Sequence, residues 1–441
     1  MKLAIQRLSA LEILDSRGRP TVAVEAELSN SVSAWAQVPS GASTGRHEAL
    51  ELRDNDPARY AGKGVRRAVE NVEKILAPEL AGMDAEDQQG IDQRMIELDG
   101  TPNKSRLGAN AILGVSCAVA RAVAAARNLP LWQSLKGERD ANLPVPMVNI
   151  LSGGLHAGGN IEFQDFLAIP HGFDTFSEAL EASTAIHRAA FDLIEKRGCR
   201  LTGVADEGGW GPYLETNEQA LEILMQAISE AGYRPAEQVS IAIDVASSHF
   251  YRDGQYQLKT ENRLLSTEEM IELLDKWCRR YPVLSIEDGL QEDDWDGWVR
   301  LNRKLGARLQ VLGDDLFATN PERLENGIRL GAANAVLVKM NQIGTLTETF
   351  RVIDRAREAG LLAVISTRSG ETEDGFLADL AVASGSGQIK PGSVTRSERL
   401  SKFNRLLEIE ARSKLAYQGN AVFHRIFAPS SHPVSHKGSL T

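Results

Sequence analysis

Apolar and polar positions along the chain change period twice. Residues 21–28, TVAVEAEL, place Val22, Val24 and Leu28 between polar neighbours, the period of two expected of a strand with one buried face. Short segments of this kind up to about residue 60 predict an antiparallel sheet. From about 64 to 128 the pattern turns helical, and GANAILGVSCAVARAVAAARN (108–128) reads as a buried core helix ending before Pro130. The stretch 129–146, with three prolines and a charged turn, is the expected linker.

Beyond residue 145 short apolar runs, each ending in polar residues, alternate with longer helical segments. The runs are VSIAIDV (239–245), VLSIED (283–288), LQVLGDD (309–315), AVLVKM (335–340) and LAVIST (362–367). Continuous Val, Ile and Leu mark parallel strands covered on both faces. Between them STEEMIELLDKWCRRY (266–281) has Ser266 as N-cap and Glu268 and Glu269 in the first turn. The predicted fold class is α/β: a small N-terminal α+β domain (1–135) followed by a TIM-like β/α barrel (136–427). The Ser-, Pro- and His-rich residues 428–441 are expected to be disordered.

Composition changes this picture little. Of 441 residues, 42% are hydrophobic and 25% charged, as in an ordinary globular protein large enough for two cores. A net charge of −11 argues against nucleic-acid or membrane partners and requires a local cationic patch for any phosphorylated substrate. The three cysteines, Cys117, Cys199 and Cys278, show no metal or disulfide spacing and suit a reducing cytoplasm. The first residues lack the apolar core of a signal peptide, and no run reaches the roughly 18 consecutive apolar residues of a membrane helix. A cytoplasmic location is the expectation.

The chemistry lies at the strand ends. In a β/α barrel these converge on one mouth, so Asp244, Glu287 and Asp314 are expected to share a small volume. Three ionised carboxylates cannot do so without a cation, and an all-oxygen set selects a hard ion such as Mg²⁺. Lys339 ends the next run. Beside a metal in a partly desolvated mouth its ammonium form would be disfavoured, making it a general base. A lysine base facing Mg²⁺ is a well-known way to abstract a proton next to a carboxylate. The loop PSGASTG (39–45) reads equally as surface or as an active-site lid.

The ordered stretches DSRGRPTV, PSGASTG, HEALELRD, LGANAILGVS, GGLHAGG, DEGGWGP, DVASS, SIEDG, GDDLFATN, VKMNQIGT, RSGETED and GQIKPG resemble the enolase family from Ile13 to about Ile426. The resemblance implies dehydration of 2-phosphoglycerate with two Mg²⁺ ions, by a homodimer or higher homo-oligomer. Asp244, Glu287 and Asp314 would hold one ion, and Ser43 would close over the second. Lys339 would remove the C2 proton, and Glu207 would help the C3 hydroxyl leave if neighbouring carboxylates raise its pKa. Lys390 would hold the substrate carboxylate and Arg368 with Ser369 the phosphate, with His156 and Gln164 also at the site.

Two site positions depart from the family. Thr367 replaces a histidine and Asp165 a glutamate; Ser152 and Trp210 are smaller changes. Both larger departures fall on the side of the leaving group. Three readings follow: an enolase of a divergent lineage, a paralogue using the same enolate chemistry on a modified substrate such as a phosphonate analogue, or a non-catalytic binding protein with this fold.

Overall fold

The computed structural model describes residues 3–41, 46–199 and 201–424, so Ser43 and the C-terminal tail lie outside the described residues. The N-terminal sheet is β1 (Ile5–Leu14), β2 (Pro20–Leu28) and β3 (Ser33–Gln37), antiparallel with β2 in the middle. Val22, Val24, Ala26 and Leu28 are fully buried against the helix Ala109–Ala126, as the alternation predicts. Contact is close: a Cβ on Gly114 of that helix would meet Val24 at 2.5 Å. The helix is long and apolar enough to cross a membrane by length and composition, but 83% of it is buried inside the protein. The proline-rich stretch holds a short helix, Leu131–Leu135, packed on the helix Phe376–Ser384.

The larger sheet begins with β4 (Val145–Ser152), β5 (Asp165–Ile169) and β6 (Ser240–Asp244). A small antiparallel sheet follows, made of β7 (Tyr251–Arg252), β8 (Gln255–Leu258) and β9 (Arg263–Leu265). The remaining barrel strands are β10 (Val283–Glu287), β11 (Gln310–Gly313), β12 (Ala335–Val338), β13 (Leu362–Ser366) and β14 (Gln388–Gly392). They close in the order β10-β11-β12-β13-β14-β4-β5-β6. All five apolar runs are strands, and Ser266 caps its helix in a full capping box with Glu269.

One expectation fails. The barrel is not wholly parallel, because β5 runs antiparallel to both β4 and β6. Only a loop with one 3₁₀ turn, Gly154–Ala157, joins β4 to β5. A parallel return would need a crossover helix, so this connection reverses the strand.

Strand register then places the site. Asp165 pairs with Asp244, and Asp244 with Glu287, in one row across three strands. Ser366 pairs with Lys390. Below this polar layer the barrel is filled by Met147, Leu167, Ala242, Leu312, Leu337 and Val364.

Candidate active site

Fifteen side chains at the mouth, among them His156, Glu207, Asp244, Asp314, Lys339, Thr367, Arg368 and Lys390, line a cavity of about 30 Å³. Asp244 and Glu287 close β6 and β10, whereas Asp314 and Lys339 directly follow β11 and β12. The barrel brings the predicted acids to one layer without joining them at a single point. Lys390 Nζ lies 2.7 Å from Asp244 Oδ2 and 2.7 Å from Glu287 Oε2, while Lys339 Nζ lies 2.5 Å from Asp314 Oδ2. Gln342 donates to the other Asp314 oxygen at 3.0 Å, and Gln164 to Asp244 at 3.2 Å.

These lysines leave much negative charge unbalanced. Burial, then Asp244, drives the Glu287 carboxyl well above the usual range, and burial with Asp314 lifts Asp315 to about 8. Burial and Asp315 raise Asp288 likewise. Asp314 goes the other way, because Lys339 outweighs its burial. Asp288, Asp314 and Asp315 offer oxygens within 4.8 Å of one another. Both Asp288 oxygens, however, accept from the backbone N–H groups of Asp314 and Asp315, at 2.9 Å each, so Asp288 braces the loop. An all-oxygen layer of buried carboxylates, beside an unpartnered Gln164 Oε1, offers the kind of donors that a hard divalent ion takes. Asp244, Glu287 and Asp314 fit that role.

Two predicted charge states are corrected. Lys339 is not a depressed amine here: burial opposes its charge, but Asp314 and Glu287 outweigh burial and raise its pKa. Glu207 is not raised either. Burial favours its neutral form, yet His156, Arg399, Lys390 and Lys339 pull it down to about 2.

On that side the group favoured to hold a proton is an imidazole. His156 Nδ1 is 3.0 Å from Asp165 Oδ2, and its Nε2 is 3.8 Å from Glu207 Oε1. Burial opposes the imidazolium, but Asp165 and Glu207 raise it to about 9. Asn149 and Ser152 also donate to Asp165, at 2.5 and 2.9 Å, so the shortened acid is fully bonded. Ser152 thus works with Asp165.

Arg368, Ser369 and Thr367 follow β13. Arg368 donates to Glu48 at 2.9 and 3.2 Å and to Asn341 at 2.9 Å. The Thr367 hydroxyl donates to the Lys390 carbonyl at 3.2 Å and accepts from Arg399 at 3.0 Å. Arg399, fully buried, also donates to the carbonyls of Arg368 and Ser369 at 2.7 and 2.8 Å. Nothing in the sequence near residue 399 signals this clamp. Asp288 and Asp315 sit beside predicted ligands, and that adjacency was the available clue.

The sequence matches the family described as "Enolase, N-terminal domain" over residues 5–135 and "Enolase, C-terminal TIM barrel domain" over 140–426. The chain belongs to the enolase family. Membership supports lyase chemistry of the enolase superfamily, whose members generally use Mg²⁺, and Asp288, Asp314 and Asp315 are a candidate acidic metal-binding group at the mouth.

Proposed function

We propose that the chain is a Mg²⁺-dependent hydro-lyase that converts 2-phosphoglycerate to phosphoenolpyruvate. One observation carries the reading. Lys339 follows β12 and Asp165 opens β5, and these strands lie four apart in either direction round the eight-stranded barrel. A base and a proton-holding pair therefore flank the cavity from opposite sides, as loss of a proton and a hydroxyl from adjacent carbons requires.

Lys339 would take the C2 proton, Lys390 would hold the substrate carboxylate, and Arg368 with Ser369 the phosphate. Two Mg²⁺ ions, one on Asp244, Glu287 and Asp314 and one toward Ser43, would neutralise charge developing on the substrate carboxylate. A cation held by Asp314 would compete for the carboxylate that now pairs with Lys339, and Lys339, freed of that pairing, would serve as the base. At C3 the departing hydroxyl would receive its proton through Glu207, supplied by the His156 imidazolium that Asp165 supports. The C2 proton and C3 hydroxyl leave as water overall.

A second reading has its own observation. The Thr367 hydroxyl is committed to Lys390 and Arg399, so this position gives a substrate little polar contact. That favours a paralogue acting on a modified substrate such as a phosphonate analogue. Incubation with Mg²⁺ and 2-phosphoglycerate separates the two. Phosphoenolpyruvate absorbance is expected; C2 proton exchange without elimination would favour the paralogue, and absence of both would remove the lyase reading.

A further inference from the structure

His249 lines the catalytic cavity and is assigned no part in the chemistry above. It sits in the 3₁₀ turn Ser247–Phe250, just after β6 and the ligand Asp244. Its Nδ1 is buried without a hydrogen-bond partner, and among the described residues neither ring nitrogen makes a hydrogen bond. Leaving a buried polar group unpaired carries a free-energy cost that the fold has not relieved here.

The turn that carries it is held rigidly. Ala246, before the turn, has left-handed backbone angles (φ 47°, ψ 46°) that a residue with a Cβ adopts at a cost, and such strain collects at functional sites. Ser247 N donates to the Asp288 carbonyl at 3.2 Å, and Ser248 Oγ accepts from Glu292 N at 3.0 Å. Phe250 stacks on Phe163 with ring centroids 5.8 Å apart. The imidazole is therefore presented to the cavity on a fixed platform; burial lowers its pKa, with Asp244 and Asp314 pulling the other way.

His249 does not join a cluster of three metal-ligating groups among the described residues. Arg368, Ser369 and Lys390 belong to β13 and β14, whereas His249 follows β6, next to the β5 strand that carries Asp165. We propose that His249 is a substrate-contacting, specificity-determining residue that hydrogen-bonds an oxygen on the carbon bearing the leaving group. The proposal rests on the lyase reading and names what its leaving-group side recognises: an oxygen substituent, hydroxyl or carboxylate, that can accept from an imidazole N–H. It donates a ring N–H alongside the His156 imidazolium but transfers no proton to the leaving group.

The test uses the full-length protein with Mg²⁺. His249→Ala is expected to raise KM for 2-phosphoglycerate about tenfold or more, with kcat changed less, since one hydrogen bond to a charged ligand is lost. Free imidazole should restore part of the loss, and His249→Gln should fall between the two. Purely structural damage would not respond to imidazole. Stabilisation of the protein by Mg²⁺ alone should be unchanged in both variants. Calorimetric binding of 2-phosphoglycerate reads the same contact independently of turnover. A wild-type protein that binds but does not turn over 2-phosphoglycerate would defeat the hydro-lyase reading alone, and weaker binding by His249→Ala would still support the contact. Wild-type affinity and KM in His249→Ala, or no binding by the wild type, would overturn it.

Discussion

His156 Nδ1 lies 3.0 Å from the fully buried Asp165 carboxylate, and this contact keeps an imidazolium beside Glu207. Asp165→Asn removes the charge that holds the proton while keeping the side-chain volume. Elimination should fall by about 10²–10⁴, the usual worth of a positioned general acid. Exchange of the C2 proton should persist within about threefold, because Lys339 is untouched. Proton NMR in deuterated buffer reads exchange, and phosphoenolpyruvate absorbance reads elimination. Equal loss of both would sink the division of labour.

Lys339→Ala tests the other side. Without its amine no group follows β12 to accept the proton, so exchange and elimination should both drop by at least about 10³. Retained exchange would mean that another residue is the base.

Much of this arrangement could be read from the residues, for physical reasons that differ by element. Buried parallel strands advertise themselves, and the runs ending at Asp244, Glu287 and Lys339 did so. The reversal of β5 could not be read from DFLAI, because it is set by a connection too short for a crossover. Residue types likewise pointed to the mouth as the place of Asp244, Glu287 and Asp314, which the structure puts in one layer but not at one point. They could not predict charge states, since the low pKa of Glu207 depends on His156 and on Arg399, distant in sequence. Arg399 illustrates the limit: an arginine near a helix start gives no hint that its guanidinium reaches three consecutive residues after β13.

Metal binding can be read without activity. If Asp244, Glu287 and Asp314 hold Mg²⁺, chelator-treated protein should gain stability as Mg²⁺ is added, by about 2.7 kcal/mol at a hundred times the dissociation constant. For a chain of this size that is a rise of several degrees in Tm. Glu287→Gln removes one ligand charge and should flatten the titration, as followed by scanning calorimetry. A wild-type Tm independent of Mg²⁺ would refute the metal assignment.

Acid sensitivity should trace partly to a histidine outside the site. His187 Nε2 donates to the Gly208 carbonyl at 3.1 Å and its ring stacks on Trp210 at 4.6 Å; burial lowers its pKa from 6.5 to about 4. Because the folded pKa is the lower one, the unfolded chain takes up this proton first as pH falls. The stability from a neutral His187 is complete above about pH 6.5 and is lost progressively down to about pH 4. Between pH 7 and 5 the loss is about 2 kcal/mol, from 1.36 kcal/mol per pKa unit. His187→Gln keeps a donor for the Gly208 carbonyl but cannot titrate, so its unfolding free energy should change less over that interval by about this amount. Urea denaturation of both proteins at the two pH values measures the difference. An identical pH dependence would show that His187 is not a titrating element of the folded state.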